Sequence, residues 1–315
     1  MANSMLDVLY VEDDPTDAML MQEILIDSSG RKHFNLTHVE SLKDALGALS
    51  ERPFDAALLD LNLQDVRGLD NVRALKEQDP DLPVVVLSGV DNDETALEAI
   101  DCGAQEYLIK GHGDGKMIRL AIYSSIKRKA VERRLFRQAN YDELTGLPNR
   151  RLFQDLTERA LEKAKRWERR EIIMFIDLDK FKEINDQYGH DAGNAVLKEV
   201  AIRMAATLRE SDVIARYGGD EFTVLLDDRS DDFWGGAARA SNRLLYAFDT
   251  PILFDGHALE VGASIGIAIY PNNGEDYISV LKSADAAMYE VKSEGGNKFR
   301  FSGGDPEELL VKEEA

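Results

Sequence analysis

The chain has 315 residues, a formal charge of -21 and a pI near 4.7. That length leaves room for two domains with sizeable cores, and so acidic a field argues against nucleic-acid or anionic-membrane binding. A nucleotide substrate would therefore need bound cations or a local basic patch. The single cysteine, Cys102, rules out an internal disulfide and fits a reducing compartment. Met1 to Leu6 lacks the basic start and apolar run of a leader, and apolar runs such as Ile172–Ile176 fall far short of a membrane span. A cytoplasmic protein is expected, with no membrane insertion.

In the first third of the chain, β-prone runs recur at Val8–Val11, Phe34–Val39, Ala56–Leu61, Pro83–Leu87 and Tyr107–Ile109. Helical patterns lie between them. Asp14 and Pro15 read as N-cap and first helical position, Ser41 opens a second helix, and Gly103 closes the fourth. Alternation of this kind predicts a parallel sheet covered on both faces, with ligands at the carboxyl ends of its strands. The polar residues fall at those ends: Glu12 and Asp13, Asp60, Ser88 and Lys110. Three carboxylates, a hydroxyl and an amine suit magnesium-assisted phosphoryl transfer to Asp60. A single acid at a strand end would mean only exposure; the five together point to chemistry.

The segments VLYVEDD, ALLDLNLQDVRGL, PVVVLSG and EYLIKG resemble a response-regulator receiver domain, assigned to residues 1–123. The resemblance implies a doubly wound, flavodoxin-like α/β fold and an upstream histidine kinase. It makes Asp60 the phosphoacceptor and gives one Mg²⁺ to Glu12, Asp13, Asp60 and the Asn62 carbonyl. Ser88 and Lys110 would contact the phosphoryl group, and Tyr107 would reorient on activation. Gly111 departs from the pattern, standing where the family has proline.

Ile118, Ile122, Ile126, Val131 and Leu135 predict one helix leaving this domain through a connector at 124–140. Its basic residues, Lys127 to Arg137, read as a solvated face. Ser125 interrupts the apolar stripe, so a plain helix and a dimeric stalk both fit the pattern.

DELTGLPNR, from Asp142 to Arg150, punctuates the chain before a helix. A buried strand then ends in Asp177-Leu178-Asp179, whose two acids, two residues apart, share a face. FKEINDQYGHDAGN, residues 181–194, precedes a helix with Val196, Val200, Met204 and Leu208 on one stripe. At 216–222, RYGGDEF reads as a hairpin whose Gly-Gly turn admits close approach and presents Asp220 and Glu221 at its tip. Taken alone, such acids read better as the solvent-facing tip of an ordinary hairpin than as a metal site; Asp177 could complete a divalent-metal set. A helix near 232–248, a strand pair around Ala258–Tyr270, a helix over Asp276–Ser293, a strand at Lys298–Phe301 and an acidic, disordered tail (303–315) finish the chain.

DELTGLPNR, FIDLDKFKEINDQYGHDAGN, RYGGDEF, SIGIAIYP and ADAAMYEVK, in this order, resemble the GGDEF diguanylate cyclases, covering residues 141–302. The resemblance implies a palm-like α/β nucleotidyl cyclase domain with a mostly antiparallel sheet. It implies two Mg²⁺ held by Asp177, Asp220, Glu221 and the Leu178 carbonyl, with Glu221 also a candidate to activate the attacking hydroxyl. Lys182 and Lys292 would neutralise the triphosphate of GTP, Gly218 and Gly219 would let it approach, and Asn185 would bind guanine. Two GTP-loaded copies must face each other, so the active species is a homodimer. Arg209 and Asp212 match the RxxD site through which cyclic di-GMP, the product, inhibits. Two departures stand out. Asn194 replaces an aspartate that reads guanine, which predicts weaker discrimination against ATP, and Gly296 replaces an arginine. The expected function is a phosphorylation-regulated diguanylate cyclase. The alternatives are a cyclic di-GMP-binding effector and a promiscuous cyclase that also makes cyclic GMP–AMP.

Overall fold

A computed structural model describes residues 5–26, 30, 32–89, 91–111, 115–227 and 232–304. Most of the expected acidic tail lies outside these. The chain divides into two compact units, Met1–Leu135 and Phe136–Ala315.

The first unit alternates β1 (Leu6–Val11), α1 (Pro15–Ile24), β2 (Phe34–Val39), α2 (Leu42–Glu51), β3 (Ala56–Asp60), α3 (Asp70–Gln78), β4 (Val84–Ser88), α4 (Asp93–Asp101) and β5 (Glu106–Ile109). Its strands pair in parallel in the order β2-β1-β3-β4-β5. β3 and β4 are buried along their whole length because helices cover both faces, which is why they read as unbroken apolar runs. Asp14 caps α1 by accepting from the N–H groups of Thr16 and Asp17, with Pro15 following where a missing N–H costs nothing. Ser41 does the same for α2 through Asp44 N–H.

α5 (Gly115–Asn140) leaves this unit as one continuous helix. Ser125, expected to interrupt its apolar face, is instead fully buried, so a small residue completes the packed stripe. Val131, Leu135 and Phe136 further along are exposed. The division between the two units, after Leu135, falls inside α5 and within the connector expected at 124–140.

The second unit continues with α6 (Arg150–Arg166), β6 (Glu171–Asp179), α7 (Phe181–Tyr188), α8 (His190–Thr207), β7 (Val213–Gly218), β8 (Glu221–Leu226), α9 (Phe233–Phe248), β9 (Ile252–Phe254), β10 (His257–Leu259), β11 (Gly262–Tyr270), α10 (Tyr277–Ser293) and β12 (Lys298–Phe301). The main sheet runs β12-β11-β6-β8-β7, antiparallel except for the parallel β11–β12 pair. Two apolar layers flank it. One gathers α8 and α9 residues such as Val200 and Leu244 against Ile176 and Phe222; the other gathers Phe153, Tyr277 and Ala284 against Phe175 and Leu225.

Two expectations shift. The strand pair around 258–270 is not a pair: β10 joins β9 in a separate ribbon, while β11 lies in the main sheet beside β6. The helix expected after 194 starts at His190, because Gly189, at φ 84, makes the turn between α7 and α8. Gly266 in β11 is where α10 lies flat on the sheet. A Cβ there would fall 1.9 Å from the Ala284 carbonyl oxygen and 2.3 Å from Met288 N.

Candidate functional site

Parallel pairing puts the carboxyl ends of β1, β3, β4 and β5 at one edge, and with them the residues just beyond. Carboxylate oxygens of Glu12, Asp13 and Asp60 lie within 4.8 Å of one another. Three hard oxygen donors so close form a set suited to a divalent cation of the Mg²⁺ class. Lys110 Nζ bridges Glu12 (2.6 Å), Asp17 (2.8 Å) and Asp60 (2.8 Å). The Asn62 N–H donates to Asp60 Oδ1 at 3.1 Å, and the Tyr10 hydroxyl donates to Glu12 Oε2 at 3.0 Å. Ser88 is buried at the end of β4, and Tyr107 is half-buried against the apolar layer beside β4.

Burial pushes the Glu12 carboxyl up, with the Asp60 charge adding to it and Lys110 opposing. Burial works to discharge Lys110, but its hydrogen bonds to Asp17, Asp60 and Glu12 outweigh that and hold it charged above its ordinary range. Asp17, in the first turn of α1, is a member that the sequence motifs did not single out.

Gly111 follows Lys110 at φ +79. Proline is locked near −65° and could not occupy this conformation. The departure from the receiver pattern is therefore a different loop path, with Lys110 still in place.

In the second unit, antiparallel pairing of β6 and β8 sets Asp177 opposite Glu221, on one face of the sheet. Gly218 ends β7, Gly219 turns at φ +52, and Asp220 follows at the tip. The Leu178 N–H donates to the Asp220 carbonyl at 3.2 Å, joining the turn to the end of β6. Lys292, in the last turn of α10, places Nζ 2.7 Å from Asp177 Oδ1.

Asp177 is only 6% exposed, and burial raises its pKa, helped by Asp220 and opposed by Lys292. Glu221 is raised by burial and then by Asp177, Asp220 and Asp285. Burial acts to lower the Lys292 pKa, but the bond to Asp177 outweighs it and the net shift is upward. Two acids paired across β6 and β8 and both raised by burial mark a functional site. Among the described residues, however, the three acids whose oxygens lie close enough to share one ion are Glu12, Asp13 and Asp60, and the structure does not bring Asp177, Asp220 and Glu221 together as tightly.

The hairpin is held from behind by residues that motif reading passed over. Arg216 donates through Nε and Nη2 to the Gly219 carbonyl (3.0 and 2.7 Å) and through Nη1 to both oxygens of Asp142 (3.1 and 3.0 Å). Asp142 also accepts from the backbone and hydroxyl of Thr145. The signal was present, since Asp142 opens DELTGLPNR and Arg216 opens RYGGDEF, but nothing in either motif names the other.

Lys182 is exposed in the first turn of α7, and Asn194 is exposed in the second turn of α8. Asn185 packs against Gly193, where a Cβ would meet Asn185 Oδ1 at 2.1 Å. Asp179, on the same strand as Asp177, is not a free ligand. It accepts from Ser264 Oγ and from the Asn297 N–H, each at 2.7 Å. Gly296 presses on it: its φ is +75, and a Cβ would lie 2.5 Å from Asp179 Oδ2. The missing arginine thus has a local cause.

Arg209 and Asp212 form a turn after α8. Both Asp212 oxygens accept backbone N–H groups, from Arg209 at 2.8 Å and Asp227 at 3.1 Å. With Arg239 and Arg243 the pair lines a small cavity of about 30 Å³.

A five-stranded 2-1-3-4-5 sheet with an acidic edge and a lysine defines a response-regulator receiver, and the second unit has the strand-and-hairpin arrangement of a nucleotidyl cyclase. Family profiles match at residues 8–121 (response regulator receiver domain) and 139–298 (diguanylate cyclase, GGDEF domain). The chain belongs to the GGDEF family and carries an N-terminal receiver domain. It is 43% identical over 171 residues to the bifunctional diguanylate cyclase/cyclic di-GMP phosphodiesterase MucR of Pseudomonas aeruginosa, covering 54% of this chain and 24% of that protein. It is 41% identical over 169 residues to the diguanylate cyclase TpbB of the same species, covering 53% and 38%. The match thus spans well under half of either relative. Among solved structures, the GGDEF domain of Pseudomonas aeruginosa TpbB (YfiN) aligns with TM-score 0.50 and 39% identity, over 54% of this chain and 99% of that one. The coiled coil and GGDEF domain of Caulobacter crescentus DgcB, solved with c-di-GMP, aligns with TM-score 0.52 and 26% identity, over 59% and 98%. Among the described residues no helix is long and apolar enough to cross a membrane.

Proposed function

We propose that the protein is a diguanylate cyclase switched by phosphorylation of Asp60. The observation that carries this reading is the placement of Asp177 across from Glu221, with Asp220 on the adjoining turn. A domain that only bound cyclic di-GMP through Arg209 and Asp212 would have no use for two acids set opposite each other where burial disfavours the charge of both.

In this reading the 3′-hydroxyl of one GTP attacks the α-phosphorus of a second, and pyrophosphate leaves. Repetition in the other direction closes the ring of cyclic di-GMP. Asp177, Asp220, Glu221 and the Leu178 carbonyl would hold two Mg²⁺, which stabilise charge on the attacking and leaving oxygens. Glu221, opposite Asp177, would act as metal ligand or accept the proton of the attacking hydroxyl. Lys182 and Lys292 bind the triphosphate, and Gly218 and Gly219 leave room for it. Asn185, fixed against Gly193, orients the guanine, and Asn194 sets how strictly guanine is chosen over adenine. Arg209 and Asp212 form the product-inhibition site.

Each domain holds one GTP, so two copies must meet. A histidine kinase phosphorylates Asp60, with Glu12, Asp13, Asp60 and Asn62 holding one Mg²⁺ and Ser88, Lys110 and Tyr107 answering the new phosphoryl group. The helix α5 then favours the homodimer. Incubating purified protein with Mg²⁺ and GTP, with and without ATP, and identifying products by mass tests the reading. Cyclic di-GMP and pyrophosphate are expected; intact GTP after prolonged incubation with phosphorylated protein overturns it.

A further inference from the structure

Lys292 is assigned above to the triphosphate, yet its ammonium group lies 2.7 Å from Asp177 Oδ1, the buried carboxylate assigned to the metal. Three observations bear on this. Asp177 is nearly inaccessible to solvent, so its charge needs a partner within the protein. The acids around it, Asp220, Asp179 and Glu221, supply only more negative charge. Lys292 comes from the last turn of α10, where the helix dipole favours a cation, and its side chain is 45% exposed, so it has open space to swing into.

We infer that Lys292 is a resident stand-in for the metal: it neutralises Asp177 in the nucleotide-free protein and must leave for a cation to bind. The inference rests on the cyclase reading of this site. Displaced from Asp177, the ammonium group would lose its only carboxylate contact at hydrogen-bond distance among the described residues. The arriving polyphosphate supplies the replacement. Metal and nucleotide therefore enter as a coupled pair, each removing an obstacle to the other, and by linkage the coupling is the same in both directions. Lysine suits this work because it is a compact point charge on a flexible stem; arginine would hold the carboxylate in a planar fork.

The design has a functional sense that the chemistry alone does not demand. A site that took up a divalent ion without nucleotide would have little to keep that ion from other phosphate ligands. A site already filled by its own lysine takes the ion only when a polyphosphate accompanies it.

The test is Mn²⁺ binding to the full-length chain, followed by electron paramagnetic resonance, in an Asp13→Asn background that silences the receiver ion. Without nucleotide, Lys292→Met should bind Mn²⁺ about 10-fold more tightly than the parent, within the usual range of such couplings. Lys292→Arg, which keeps the charge at Asp177, should stay as weak as the parent. The tightening should persist at about 0.5 M salt, because a contact pair is screened much less than separated charges. Unchanged nucleotide-free affinity in Lys292→Met, or a tightening that vanishes with salt, overturns the stand-in role alone. If a GTP analogue with a methylene α–β bridge brings no Mn²⁺ into the second domain of the parent, the cyclase reading itself falls, and this inference with it.

Discussion

Arg216 joins two motifs that lie 74 positions apart, holding Asp142 with one nitrogen and the Gly219 carbonyl with the other two. The Gly-Gly turn is thus fixed by the segment that leads out of α5, and the height of Asp220 and Glu221 depends on a contact neither makes. Asp142→Asn should cost about 1–3 kcal/mol of stability and lower cyclase turnover. The effect has a definite pH signature. Thr145 and Arg216 hold the Asp142 carboxyl below its ordinary value of 3.8, overcoming an opposing effect of burial. Its stabilising contribution is therefore present above 3.8 and disappears as pH falls through the lower, folded-state value. Melting temperatures of parent and variant should differ at neutral pH, draw together as pH falls below 3.8, and converge only below the lower, folded-state value.

Asn194 carries a prediction about product identity. An amide opposite guanine offers one acceptor where a carboxylate offers two. Asn194→Asp should raise the preference for GTP over ATP by about 10-fold or more, equivalent to one well-formed hydrogen bond to a charged group. The measurement is the ratio of cyclic di-GMP to cyclic GMP–AMP from an equimolar mixture. An unchanged ratio would remove Asn194 from base recognition.

Gly296 offers a purely structural test. Restoring the arginine of the family pattern, Gly296→Arg, introduces a Cβ at 2.5 Å from an Asp179 oxygen and a side chain on a left-handed backbone. Asp179 cannot easily yield, because Ser264 and Asn297 both hold it. A loss of about 1–3 kcal/mol is expected from strain of this kind, seen as a lower thermal midpoint without any gain in GTP affinity.

For the receiver, a beryllofluoride complex should raise both solution mass and turnover in the parent. Asp60→Asn should abolish both responses while leaving the fold intact, which light scattering and initial-rate measurements can follow. A response that survives in Asp60→Asn would place the acceptor elsewhere.

Much of this was legible in the sequence because periodicity and strand-end chemistry are local. The carboxyl ends of the receiver strands, the buried β6 run and the GGDEF turn each announce themselves within a few residues. What stayed hidden was pairing at a distance. No spacing rule tells that β10 turns back onto β9 and not onto β11, since both arrangements satisfy the same alternation. Nor could residue type separate Asp177 from Asp179; only Ser264, Asn297 and Gly296 on other elements do so. Ser125 misled for a related reason: a hydroxyl looks like a break in an apolar stripe, but its small volume lets it pack fully buried.

The closeness of α10 to β11 at Gly266 reaches further than packing. Lys292 rides on that helix, so the thickness of one residue in the middle of the sheet sets how far an ammonium group extends at its edge. A single methyl at Gly266 would lift the helix like a shim under a lever. A mutational scan read only by lost activity would then score Gly266 beside Asp220, though it approaches no reacting atom. In SIGIAIYP the glycine is a mounting surface, and its chemistry is carried out by a side chain 26 positions away.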